Sequence, residues 1–320
     1  MPRPVLVVGL PRSGTTWVQR LLAKTDSART VYEPDNESVH AGARVAKREL
    51  GRFPVLGPAS RAPAAYERLW SLALSGVREE DRRSGRLAVR LVERAPESQR
   101  QLVSPPGIRM RTAETLARVA HGAGRSVRGR PIVKSVHAAF AVEWIAARWD
   151  PVVVVVRRHP VSVIASLREI GMSDIDRRLD DDAAVRRGVL DPLGIRPPRT
   201  SRPLGRAAWQ YGVLASALEA SASRHPGWVT VTHEDLCADP PARFRRLVET
   251  LGMRWSPACD GFLERSNGPG RGYQIRRVAS DQRDRWRDRL PAAEMAEILD
   301  ALVDFPALLR PWAAPIENVR

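Results

Sequence analysis

The chain has 320 residues, of which 43% are hydrophobic, and carries a formal net charge of +16. That length supports one sizeable core with an appended helical region, and no run of about 18 apolar residues is present to form a membrane-spanning helix. Two cysteines, Cys237 and Cys259, give neither a disulfide framework nor a metal-ligand spacing. With no signal-peptide pattern ahead of Val5, the expected location is the cytoplasm.

Residues 4–9 read as a buried strand, and 15–24 as a helix that begins directly after a glycine loop. A second short strand is expected over 28–32, ending in YEPDN. The stretch 36–125 is helix-like but irregular, broken at GRFPVLGPASRAP and SPPG. RPIVKSV (130–136) reads as a strand and 137–149 as a helix. Val152–Val156 is a run of five valines, which suits a central strand buried on both faces. Pro160 then opens a helix. Residues 171–206 are charged and broken by Pro and Gly, and are expected to form a mobile insertion. A helix (207–224), a strand (228–236) and a helix (241–252) follow. The stretch 264–290 is loop-like, and a last helix covers about 291–303. Strands alternating with helices indicate an α/β fold with a central, mainly parallel sheet flanked by helices. Gly9, Arg158 and His233 each lie just past a strand end, where such sheets bind ligands.

The first loop carries the chemistry. Gly9, Gly14 and Thr16 fit the nucleotide-loop spacing Gly-x-x-x-x-Gly-Lys-Ser/Thr, but Thr15 stands where the lysine belongs. Amides around Ser13–Thr16, a helix N-terminus, the hydroxyls of Ser13, Thr15 and Thr16, and the charge of Arg12 together suit a phosphate or sulfate. Without the lysine, the loop suits a magnesium nucleoside triphosphate poorly. A second anion site is expected from RRHPVSVIAS: a strand delivers Arg158, and Ser166 lies eight residues further on, about a turn and a half into the next helix. Two anion sites at two strand ends imply a ligand with two separated phosphate-type groups.

These strings carry a family resemblance. PRSGTTW (11–17) resembles the 5′-phosphosulfate loop of sulfotransferases that use 3′-phosphoadenosine 5′-phosphosulfate (PAPS), and RHPVSVIAS (158–166) resembles their 3′-phosphate motif. VTHEDLCADP (231–240) resembles the late motif often written YEDL, with His233 in place of the aromatic residue. RPIVKSVH (130–137) resembles the strand that precedes the 3′-phosphate motif. The resemblance implies a single domain over 1–320 with a P-loop NTPase-like sulfotransferase fold and helical insertions. It places an acceptor-side helical region at 36–125 and a lid-like loop at 264–290. It implies PAPS as cosubstrate, adenosine 3′,5′-bisphosphate as product, no metal, and a small-molecule hydroxyl acceptor such as a sugar or lipid.

It also implies residue roles. Arg12 replaces the lysine common in the family's loop and stabilises charge on the leaving 5′-phosphate. Arg12, Ser13, Gly14, Thr15 and Thr16 hold the 5′ end, while Arg158 and Ser166 hold the 3′-phosphate. Trp17 and His233 lie on the adenine side, and Arg276 or Arg277, ahead of Trp286, belongs to the lid. Lys134, one of only three lysines, is expected near the sulfuryl group or its bridging oxygen. Two residues compete as general base: His137, which resembles the histidine of cytosolic members, and Glu33, which resembles the acidic residue of carbohydrate-type and bacterial members. Glu33 is preferred. Two other readings stay open. One is a kinase-like P-loop nucleotide enzyme. The other is a nucleic-acid binder, against which the arginines form no stripe and often sit beside Asp or Glu, as in DQRDRWRDR.

Overall fold

The structure is a computed structural model that describes residues 2–75, 129–172, 175–176, 179–268, 286 and 289–310. Five strands, β1 (Val5–Gly9), β2 (Ala28–Tyr32), β3 (Arg130–Ser135), β4 (Val152–Arg157) and β5 (Val229–Thr232), form one sheet in the order β2-β3-β1-β4-β5. The β2–β3 and β4–β5 pairs are parallel, as the strand–helix alternation leads one to expect. The chain divides into two compact units, Met1–Leu6 with Ser27–Val152 and Val7–Asp26 with Val153–Arg320. Among the described residues no helix is long and apolar enough to cross a membrane.

In the first unit, β2 and β3 run in a register that sets Tyr32 against Lys134. Their carboxyl ends therefore lie side by side, and Glu33 extends β2 by giving its N–H to the Lys134 carbonyl at 2.8 Å. Helices α2 (Ala41–Ala46), α3 (Ala64–Ser75) and α4 (Val142–Trp149) belong to this unit. Its core holds the fully buried Tyr66, Trp70 and Trp144. The helix expected from residue 137 begins instead at Val142. The Ser135 hydroxyl accepts the His137 and Ala138 N–H groups at 3.0 and 3.1 Å, a local side-chain turn that competes with helical hydrogen bonding. Of the region 36–125, only residues up to 75 are described.

In the second unit, the valine run is buried as a central strand demands: Val153 to Val156 are at most 2% exposed. Helix α1 (Thr15–Leu22) follows the loop and buries Val18, Leu21 and Leu22. Helix α5 (Pro160–Arg168) starts on Pro160, whose missing N–H costs nothing in a first turn. Helical turns occupy 183–193 within the expected insertion, and α6 (Pro203–Arg224) begins four residues earlier than its sequence pattern suggests.

The expected strand 228–236 is corrected: β5 ends at Thr232, and α7 (His233–Ala238) takes over. The Thr232 hydroxyl accepts the Asp235 N–H at 3.1 Å, and Glu234 and Asp235 put acidic groups in the first turn. An N-cap with acidic first-turn residues outweighs the strand propensity of VTVT beyond that point. α8 (Pro240–Thr250) is capped in turn by Asp239. α9 (Pro257–Ser266), absent from the sequence reading, precedes α10 (Ala292–Leu302) and α11 (Pro306–Leu309). Most of the expected lid 264–290 lies outside the described residues, with Arg276 and Arg277 among them. Several arginines pair with acids on this unit's surface, for example Arg245 with Asp260 at 2.7 Å and Arg243 with Asp235 at 3.3 Å. Such exposed pairs contribute little stability, on the order of 0–1 kcal/mol each, and they match a solvated basic surface.

Candidate active site

The glycine loop in the second unit is shaped by close approach. A Cβ on Gly9 would lie 2.6 Å from the Val156 carbonyl oxygen and under 3 Å from Ser13 and Thr15 side chains. Gly14 has φ +96°, and a Cβ there would meet the His233 ring at 2.5 Å. Arg12 also takes a left-handed conformation, φ 68°, which is uncommon for a non-glycine residue. The Trp17 and Val18 N–H groups turn back to the Gly14 carbonyl, at 2.9 and 3.2 Å. The Thr15 and Thr16 amides therefore remain as donors of the first turn, at the positive end of the helix. Ser13 is 2% exposed, and its hydroxyl has no hydrogen-bond partner among the described residues.

This unit joins the loop to the second expected motif. Arg12 Nε donates to Ser166 Oγ at 2.9 Å, and Arg158 Nη1 donates to the Arg12 carbonyl oxygen at 2.9 Å. Arg12 is the link between Arg158 and Ser166, a role that the spacing of RHPVSVIAS does not reveal. Arg158 is 8% exposed, and its Nε has no hydrogen-bond partner among the described residues. Burial pulls its guanidinium down to about 10, with Glu234 and Cys237 opposing and Arg289 and Arg12 adding to the fall. It stays cationic at neutral pH. Ser166 accepts from Arg12 and still has its own O–H to donate. A buried hydroxyl without a partner, two first-turn amides and two arginines make a cradle that fits phosphate-type groups.

Trp17 donates from Nε1 to Ser266 Oγ at 3.2 Å and meets Phe244 edge-on, with ring centroids 4.7 Å apart. His233 lies 5.9 Å from Trp17, ring to ring. Burial first, then the neighbouring Arg158, holds the His233 imidazole well below its ordinary value, so the ring is neutral. Cys237 Sγ lies 3.6 Å from His233 Nδ1; burial pushes this thiol up to about 12, which leaves it protonated and unreactive. Two residues here escaped the sequence reading. Glu234, 7% exposed, accepts the His159 N–H at 2.9 Å, and Arg289 pairs with Glu169. The YEDL-like string contained Glu234, but nothing in it shows what the carboxylate would reach.

The first unit holds both candidate bases. Glu33, 5% exposed with φ 43°, is bonded through one carboxylate oxygen to Lys134 Nζ and through the other to Asn36 Nδ2. Lys134 is 3% exposed and also lies over the Tyr32 ring, 4.6 Å from its centroid. His137, 1% exposed, is enclosed differently. Its Nε2 faces Arg52 Nε at 3.3 Å, and its Nδ1 lies 3.2 Å from Glu37 and 3.3 Å from Lys47 Nζ. A guanidinium only donates, so Nε2 is the acceptor and the proton sits on Nδ1, directed at Glu37. Lys47 gives its own protons to Glu37 at 2.8 Å and to the Asp35 carbonyl at 3.0 Å. Burial pushes the Glu37 carboxyl up, but hydrogen bonds from His137 and Lys47 and the charge of Lys47 outweigh it and hold the group well below the usual carboxylate range. Among the described residues no cluster of three or more His, Cys, Asp or Glu is placed to hold a metal ion.

Residues 4–189 match the sequence profile of the sulfotransferase family. No curated protein matches the chain. Among solved structures, the sulfotransferase domain of the curacin biosynthetic pathway is 14% identical, with a TM-score of 0.50 over 95% of this chain and 97% of that one, and it shares the fold. Sulfotransferase STF9 from Mycobacterium avium is 14% identical, with a TM-score of 0.41 over 95% of this chain and 77% of its own. Mouse sulfotransferase SULT7A1, crystallised with PAP, is 9% identical, with a TM-score of 0.41 over 97% and 88%.

Proposed function

The chain belongs to the sulfotransferase family, and on that premise we propose that it uses PAPS as donor, how its residues divide the work and what acceptor they serve. The acceptor is an alcohol hydroxyl on a sugar, lipid or other small molecule, and the donor is held by the second unit. The observation that carries this reading is the Arg12 link: its side chain donates to Ser166 while its carbonyl receives Arg158. The two anion-binding motifs are thereby one connected group of donors, as a ligand with two phosphate-type ends requires.

In this reading Ser13–Thr16 and Arg12 hold the 5′ end, and Arg158 with Ser166 holds the 3′-phosphate. Arg12 offsets the charge that grows on the leaving 5′-phosphate, an electrostatic contribution from a preorganised group. Trp17 and the neutral His233 serve the adenine side. Glu33 is the general base rather than His137. The Nε2 lone pair of His137 is already taken by Arg52, whereas each Glu33 oxygen keeps a lone pair beyond its one bonded donor. Lys134 orients Glu33 through their ion pair. The free, buried Cys237 and Cys259 agree with a reducing cytoplasm.

The kinase-like reading is disfavoured by Thr15, which is 3% exposed at the lysine position of a nucleotide loop. A screen of hydroxyl acceptors with sulfur-labelled PAPS, run with and without EDTA, tests the proposal. Transfer of label that survives EDTA is expected. Binding of Mg-ATP in preference to adenosine 3′,5′-bisphosphate would overturn it.

A further inference from the structure

The turn that presents Arg158 has an anchor. Arg158 and His159 lie between β4 and α5, at the end of a strand that stops at Arg157. The His159 N–H, at the N-cap of α5, is taken by Glu234 Oε1 at 2.9 Å from across 75 residues. Tyr211 fixes the same turn by donating its O–H to the Arg158 carbonyl at 2.8 Å. The His159 ring stacks on Trp286, with centroids 4.3 Å apart and planes 12° from parallel. Glu234 Oε2 is buried and has no hydrogen-bond partner among the described residues. The carboxylate therefore spends one oxygen on the backbone of this turn, and its charge acts on Arg158 against those of Arg12 and Arg289.

We propose that Glu234 is a positioning residue for the donor's 3′-phosphate, holding the Arg158–His159 turn by its backbone so that Arg158 is set for the anion. This rests on the reading of Arg158 as the 3′-phosphate ligand. The geometry separates two ways in which a carboxylate could act. If it acts by position, the essential group is an oxygen that reaches the His159 N–H. If it acts by charge, removing the negative charge beside Arg158 should strengthen anion binding, because an opposing field has gone.

Three variants of the full chain distinguish these. Glu234→Gln keeps an acceptor oxygen at the same reach without charge. Glu234→Asp keeps the charge but is one methylene too short to reach the His159 N–H. Glu234→Ala keeps neither. Affinity for adenosine 3′,5′-bisphosphate and for adenosine 5′-phosphosulfate, which lacks the 3′-phosphate, is measured by calorimetry, with circular dichroism to show that each variant is folded. The expected pattern is a Gln variant within about threefold of wild type or tighter, and Asp and Ala variants about 10- to 100-fold weaker for the bisphosphate only. Glutamine rescue is a readout that general loss of packing would not give. An Asp variant with wild-type affinity, Gln and Ala variants weakened alike, or equal loss for both ligands would overturn the proposal. Should Ala unfold, the Gln and Asp pair still decides it. If wild type itself bound the two ligands equally, the Arg158 assignment would fail, and that outcome is read before any variant is compared.

Discussion

Replacing Arg158 by alanine gives the most direct test of the donor site. The side chain is 8% exposed and donates to the Arg12 carbonyl at 2.9 Å. Two effects follow. A charge-assisted contact to the 3′-phosphate is lost, on the order of 1.5–3 kcal/mol, or roughly 10- to 150-fold in Kd. The tie to Arg12 is also lost, about 1 kcal/mol, and this weakens any ligand at residues 12–16 by roughly fivefold. Calorimetric titration at constant salt should therefore show a large loss for adenosine 3′,5′-bisphosphate and a small one for adenosine 5′-phosphosulfate. Arg158→Lys should fall between, since an ammonium keeps the charge but lacks the planar fork that bonds Arg12 and a phosphate together. The variant should stay folded, because the cost of burying the cation leaves with it and, among the described residues, one hydrogen bond is sacrificed. Equal losses for the two ligands would refute the reasoning: Arg158 would then act on the loop alone.

Glu33→Gln should lower kcat by about 10²–10⁴ while leaving bisphosphate affinity almost unchanged, and His137→Asn should cost less; the reverse order in steady-state kinetics would transfer the base to His137. His233 gives a pH prediction. Its folded value is depressed, by burial and then Arg158, so below about pH 6.5 the unfolded chain binds a proton that the folded chain does not. The stability this neutral ring allows is thus present above about pH 6.5 and is lost as pH falls, with a limiting slope of about 1.4 kcal/mol per unit. In His233→Gln the decline between pH 7 and pH 5 in chemical denaturation should be shallower; an unchanged slope would remove His233 as its source.

Much of the site was legible because its signals are local. A strand that ends in a glycine loop and opens a helix is written in residues 5–22, and the structure places Gly9 and Gly14 where a Cβ could not stand. The valine run predicted β4, and Pro160 predicted the start of α5, because burial on both faces and a fixed φ are properties of the residues themselves. The strand expected over 233–236 gives way to a helix for a local reason too: the Thr232 hydroxyl caps the Asp235 N–H and ends the extended run of VTVT.

The sequence by itself determined the α/β alternation, the phosphate loop without its lysine, and the strings that resemble the sulfotransferase family. Tertiary structure alone decided the partners. Arg12 reaches Ser166 across 154 residues, Lys134 reaches Glu33 across 101, and Glu234 reaches His159 across 75. Periodicity reports only which face of an element is buried. Which strands become neighbours in the order β2-β3-β1-β4-β5, and in what register, depends on packing summed over the whole core. That register sets Tyr32 beside Lys134 and so brings Glu33 to its lysine, while His137 is left enclosed by Arg52, Glu37 and Lys47. The proposal of Glu33 as base, already preferred in the sequence, rests on this difference in surroundings, because a lone pair held by a guanidinium is not available to take a proton.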